Sequence, residues 1–159
     1  TDQLALMDHL GVDRFAVAGM CIGGPYITGL CMAAPERVAA AVILQPIGLD
    51  NNHQAFYDMF DGWRAEVAPA HPEADDAAFD AFRSNMYDGE FMFNTTREQA
   101  AAIETPTMVL MGNDVYHPES TSRELAELLP SCTFIEDWKD GDALDAASAT
   151  ISTFLSAAS

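Results

Sequence analysis

The sequence predicts an α/β fold, a parallel sheet with flanking helices, on three observations. Apolar runs of strand length at residues 15–18, 38–44, 107–111 and 132–135 alternate with segments of helical periodicity. The run 38–44 is apolar without interruption, as expected of a strand buried on both faces of a parallel sheet. Finally, the first strand passes through a glycine-flanked turn directly into a helix, the strand–turn–helix step from which such sheets are built.

Each element follows from local chemistry. Residues 2–10 place apolar side chains at helical spacing and end at Gly11, a suitable C-terminal cap. His9 lies near the end of that helix, where an imidazolium suits the dipole. The helix after the first strand covers residues 25–34 and stops before Pro35, which disfavours helical geometry in the residue preceding it. The second strand breaks at Gln45-Pro46-Ile47-Gly48. Within residues 49–104, Phe56, Phe60 and Trp63 fall on one helical face and Phe79 and Phe82 on another, with Pro69, His71 and Pro72 separating two helices. These aromatics are expected to pack the excursion onto the sheet, and an insertion of this size also suits a lid over an apolar pocket. His53 lies where that lid would begin. A third strand, 107–111, leads through Gly112-Asn113-Asp114 to a helix at 119–129, where Ser120, Thr121 or Ser122 can cap. The fourth strand is followed by an acidic loop, 136–145, and a closing helix, 146–155. One domain is expected, in three stretches: the core 1–48, the helical insertion 49–104 and the core 105–159.

Charge excludes some partners. With 25 acidic and 7 basic residues, the net charge of −18 repels phosphate backbones and anionic bilayers, so neither nucleic acid nor membrane is expected. The acidity fits either adaptation to high salt, which predicts unfolding at low ionic strength, or ordinary acidic helix faces. Three cysteines make no disulfide framework; Cys21 and Cys31, read along one helix, lie about 15 Å apart. Reduced thiols point to a cytoplasmic setting. No Cys/His spacing suggests a metal, and no cofactor is expected.

The chemistry concentrates at Gly19-Met20-Cys21-Ile22-Gly23, the thiol form of the Gly-x-Ser-x-Gly nucleophile elbow. The turn is strained, so side chains at Gly19 and Gly23 are expected to collide with the adjacent strand and helix. The helix beginning there aims free N–H groups at the sulfur and favours thiolate. The plainer reading makes Cys21 a small buried hydrophobe.

This turn, Pro35-Glu36-Arg37-Val38 and Gly112-Asn113-Asp114 together resemble the α/β-hydrolase superfamily, and the cysteine elbow is similar to that of dienelactone hydrolases. The resemblance covers nearly the whole chain but only the second half of that fold. It implies Cys21 as nucleophile, the Ile22 N–H as one oxyanion donor and Asp114 as the triad acid. The superfamily places its histidine in the loop after the last strand, here 136–142, which has none. His117 is then a relocated base, or the thiol is activated by the helix dipole alone, or the chain is a catalytically silent binding module. The implied activity is hydrolysis, or acyl transfer, on an ester, thioester or lactone. The resemblance places several strands before the elbow. The strand 15–18 reads as central, so self-association or a further N-terminal segment is expected.

Overall fold

The computed structural model describes residues 2–158. In chain order the elements are α1 (Asp2–Leu10), β1 (Phe15–Cys21), α2 (Gly23–Ala33), β2 (Val38–Pro46), α3 (His53–Val67), a 3₁₀ turn (Ala68–Ala70), α4 (Asp76–Tyr87), α5 (Arg97–Ala101), β3 (Thr107–Leu110), α6 (Glu119–Leu128), β4 (Cys132–Ile135) and α7 (Gly141–Ala157). The four strands form one sheet in the order β1-β2-β3-β4, all parallel, so every connection crosses over through helix.

Strand alternation divides β2 between two cores. Ala41 and Ile43 pack with Ile27 and Leu30 of α2 and Leu125 of α6. Val42 faces the other way, with Met108, Leu110, Trp138 and Ala147 of α7. The sheet is thus sandwiched, which is why 38–44 reads as uninterrupted hydrophobe.

Among the described residues β1 lies at one edge of the sheet, with β2 as its neighbour. Phe15 and Val17 pack against the α2 side, whereas Ala16, Ala18 and Met20 are exposed on the α7 side. Met20 is paired in register with Leu44 and is 49% exposed. The turn before β1 is pinned by Arg37, which donates to Asp8 Oδ1 at 2.7 Å and to the carbonyls of Val12 and Asp13 at 2.9 and 3.0 Å.

Other boundaries moved for identifiable reasons. β2 continues to Pro46 because it follows β1 through a register shift. α7 starts at Gly141 instead of 146, its first turn taking in the acids read as loop. No side chain caps α6: its N-cap is Pro118, Ser120 donates to Asp50, and Thr121 and Ser122 are buried. Trp63 and Phe82 are 43% and 46% exposed, because Phe56, Phe60, Phe79 and Tyr87 already fill the space between α3 and α4. No helix among the described residues is long and apolar enough to cross a membrane.

Candidate active site

Cys21 is the last residue of β1 and has φ 58°, in the left-handed region that non-glycine residues seldom occupy. It is therefore not on one helix with Cys31, which lies inside α2. The strained φ turns the chain abruptly from strand to helix. Ile22 is the N-cap of α2, with φ −58° and ψ −20°, and no side chain caps the helix. The Ile22 N–H finds no acceptor within the described chain. A half-buried free thiol thus stands beside an uncapped helix N-terminus.

The glycines divide differently from the expectation. A β-carbon on Gly19 would lie 3.1 Å from Ile27 Cδ1 and 3.2 Å from Gly23 Cα. One on Gly23 would meet nothing within 4 Å, because its hydrogens face open space. The tightly packed partner is Gly24, whose β-carbon would lie 3.0 Å from Pro46 Cβ and 3.3 Å from Ile43 Cγ2. Close approach of α2 to β2 therefore runs through Gly24, and Gly23 matters to Gly19 through its Cα.

At the C-terminal end of β3, Asp114 and His117 close a tight loop. The Asp114 carboxylate accepts from the N–H groups of Tyr116 and His117, both at 3.0 Å, and from His117 Nδ1 at 2.7 and 2.9 Å. An ionised carboxylate only accepts, so Nδ1 carries a proton, and Nε2 is the ring nitrogen that does not face Asp114. Nε2 is buried and has no hydrogen-bond partner. Burial pushes the Asp114 carboxyl up, but the hydrogen bonds from His117 and the backbone outweigh it and leave it below its ordinary value. Gly112 makes room for this loop: a β-carbon there would overlap the His117 carbonyl.

The exit of β2 connects the two halves of the site. Ile47 N–H donates to the Cys21 carbonyl at 3.2 Å, and Gly48 N–H to the Tyr116 carbonyl at 3.3 Å. Cys21, Ile22 and Tyr116 border one apolar cluster built on Ile47, Leu49, Phe56 and Tyr87. Cys21 and the Asp114–His117 pair therefore share one edge of the sheet, on either side of residues 45–48. The Cys21 sulfur nevertheless makes no hydrogen bond to His117.

The loop after β4 holds Trp138 and Lys139 where the resemblance places a histidine. Trp138 is buried and donates to the Met111 carbonyl at 2.8 Å; Lys139 donates to Asn113 at 2.5 Å. Of the remaining histidines, His53 bonds the Gly89 carbonyl and His71 bonds Glu73. No group of three or more His, Cys, Asp or Glu among the described residues is placed to share a metal ion. A cavity of about 570 Å³ is lined by residues 89–99 and another of about 290 Å³ by Trp63, Val67, His71, Ala74 and Phe79; neither includes Cys21.

Sequence reasoning passed over Gln45. The register pairs Met20 with Leu44 and Cys21 with Pro46, leaving Gln45 as an extra residue in β2 with φ 36°. The available signal was a polar side chain followed by proline at the end of an apolar run.

Comparison with solved structures agrees with this architecture. The chain is similar to a protein named as a non-heme bromoperoxidase, BpoC, of Mycobacterium tuberculosis H37Rv, with TM-score 0.71, 21% identity, and 99% of this chain covering 72% of that one. It is also similar to the enol-lactonase of Burkholderia xenovorans LB400 (TM-score 0.63, 20% identity, 98% of this chain and 70% of that one). A third is an alpha/beta hydrolase of Sphaerobacter thermophilus DSM 20745 (TM-score 0.59, 19% identity, 96% and 71%). The fold is that of the α/β-hydrolases, represented here over about seven-tenths of those chains' length. No protein-family model matches the sequence, and no curated protein does.

Proposed function

We propose that this chain carries the nucleophile of a hydrolase or acyl transferase acting on a carboxylic ester, thioester or lactone through Cys21. The observation that carries the reading is the backbone of Cys21: a thiol held at φ 58°, between β1 and the uncapped start of α2. Strain of this kind costs about 1–3 kcal/mol and persists where the surroundings enforce it, typically at reacting groups. The naming of one structural neighbour as an enol-lactonase supports the choice of an ester-like carbonyl.

In this reading the Cys21 thiolate attacks the carbonyl carbon. A C–S bond forms, and the π pair moves to the carbonyl oxygen, where the Ile22 N–H donates to it. Collapse expels the leaving group and leaves a thioester on Cys21, which water or another acyl acceptor then cleaves. His117 is the base that takes the proton, since Asp114 holds its Nδ1–H and Nε2 is free. The aromatics of α3 and α4 act as the lid and shape the acyl pocket. No step needs a cofactor, and the free thiols suit a reducing cytoplasm.

A second reading, a catalytically silent scaffold that binds a ligand, is favoured by one observation: the Cys21 sulfur is not hydrogen-bonded to His117. The two readings are separated by p-nitrophenyl acetate turnover and iodoacetamide labelling of wild type, Cys21→Ser and His117→Ala. The hydrolase reading expects turnover that Cys21→Ser abolishes. Labelling of Cys21 no faster than a free thiol, together with no turnover, would establish the silent scaffold. Unchanged turnover in His117→Ala would remove His117 from the mechanism.

A further inference from the structure

The proposed reaction leaves its tetrahedral oxyanion with one named donor, the Ile22 N–H. We infer that the side-chain carboxamide of Gln45 supplies a second. The inference rests on the hydrolase reading and extends it to a residue with no part in the elbow motif.

Four observations converge on Gln45. First, it is the extra residue of a β-bulge, lying between the partners of Met20 and Cys21 on the strand hydrogen-bonded to the nucleophile's own. Bulges next to reacting groups re-aim a side chain that a regular strand would direct elsewhere. Second, its φ of 36° lies in the left-handed region, where a glutamine has no local reason to be; glycine would take this conformation without strain. Third, the residue is half-buried yet its carboxamide bonds to no group among the described residues, unlike Asn52, whose amide is engaged with Gly48, Val115 and Asp50. Fourth, it stands just before Ile47 and Gly48, whose N–H groups donate to the Cys21 and Tyr116 carbonyls, so its segment links the thiol's strand to the Asp114–His117 loop. A neutral amide is also suited to this place. The surface carries a net charge of −18, and an amide N–H₂ adds donors without adding another carboxylate to repel a developing negative oxygen.

The step balances without further partners. The thiolate pair forms the C–S bond and the carbonyl π pair becomes the third lone pair on oxygen, toward which the Gln45 Nε2–H and the Ile22 N–H donate. As the carbonyl re-forms, the bond to the leaving group breaks, and a p-nitrophenolate departs with that pair. Gln45 ends as it began.

The test compares two reactions of the same sulfur. Acylation by p-nitrophenyl acetate passes through an oxyanion; alkylation by iodoacetamide displaces iodide at carbon and forms none. Gln45→Met keeps length and loses the donor, and Gln45→Glu keeps shape but only accepts; circular dichroism checks that each is folded. The acylation rate is expected to fall about 10²–10³-fold in both variants, the loss typical of removing a side-chain oxyanion donor. Iodoacetamide labelling of Cys21 is expected to stay at the wild-type rate in Gln45→Met, and to fall less than acylation in Gln45→Glu, whose carboxylate also opposes the thiolate. Wild-type acylation rates in a folded variant would overturn the assignment. So would a parallel loss of both reactions, which would mean that Gln45 merely holds the turn. If wild type itself is not acylated, the hydrolase reading fails first and this inference falls with it.

Discussion

Substituting alanine for Gly23 and, separately, for Gly24 tests how the turn is packed. Motif reading assigns the steric demand to Gly23, whereas the structure assigns it to Gly24. At Gly23 an added methyl meets nothing within 4 Å, and φ lies outside the left-handed region. Alanine there restricts the unfolded chain without straining the folded one, a stabilisation of about 0.4–1 kcal/mol. At Gly24 the methyl lies 3.0 Å from Pro46 Cβ, 3.3 Å from Pro46 Cα and 3.3 Å from Ile43 Cγ2. Pro46 belongs to β2, and Ile43 is 1% exposed, so the helix and strand must part by a few tenths of an ångström. Overpacking of this kind costs about 1–3 kcal/mol, from which roughly 1 kcal/mol of helix propensity is recovered. The two variants should differ by about 1.5–2 kcal/mol, with Gly23→Ala above wild type and Gly24→Ala below it. Urea unfolding at a single salt concentration reads this as midpoints about 0.7 M apart. A Gly23→Ala variant less stable than Gly24→Ala would refute the packing described for the turn.

Three further outcomes follow from groups around the site and in the core. Burial pushes the Cys132 thiol up to about 11 and also raises that of Cys31, so a brief iodoacetamide pulse at pH 8 should label Cys21 alone, as read by peptide mass spectrometry. Asp114 is more acidic folded than unfolded, so it stabilises above the ordinary carboxylate range and that contribution fades as pH falls through its lowered value. Asp114→Asn should therefore be less stable than wild type at pH 7, and urea titrations should show the difference shrinking toward about pH 3. Thr28 and Thr95 share a buried 2.5 Å hydrogen bond, and Thr28 donates onward to Pro25. Thr28→Val removes this bond and leaves the Thr95 hydroxyl its longer 3.2 Å bond to Asn94 Oδ1, so it should cost about 0.5–1.5 kcal/mol, and the Thr28→Val/Thr95→Val double variant should cost less than the sum of the singles.

Much of the fold was legible because one pattern recurs: apolar runs bounded by glycine or proline, then helical spacing. Residues 38–44 could be placed between two layers because no polar side chain interrupts them. What escaped were features decided by neighbours. Phe15–Ala18 reads as a strand meant for neighbours on both sides, and among the described residues it has one, β2, with Ala16 and Ala18 left exposed. Ser120–Ser122 read as caps because hydroxyls commonly cap helices, but Pro118 takes the N-cap position, so all three lie inside the helix, with Ser120 bonded to Asp50 and Ser122 to Gly112. In the site, Asp114 and His117 stand three apart and their pairing is local, so it was readable. The openness of Gly23 and the bulge at Gln45 were not, since both arise from how β1, β2 and α2 meet.

The distribution of backbone strain is informative about where the molecule acts. Among the described residues, the non-glycine positions with positive φ are Cys21, Gln45 and Asn51. Asn51 is readily accommodated, because asparagine tolerates the left-handed region. Cys21 and Gln45 have no such excuse, and they are near neighbours on adjacent parallel strands at the C-terminal edge, the edge along which open α/β sheets bind ligands. Stability alone would favour glycine at both positions. At Cys21 that exchange would delete the thiol, and at Gln45 it would delete a carboxamide that forms no bond among the described residues. The strain at both therefore coincides with side chains that the proposed reaction uses, the Cys21 thiol, which also packs against the apolar cluster of Ile47, Leu49 and Phe56, and the Gln45 carboxamide.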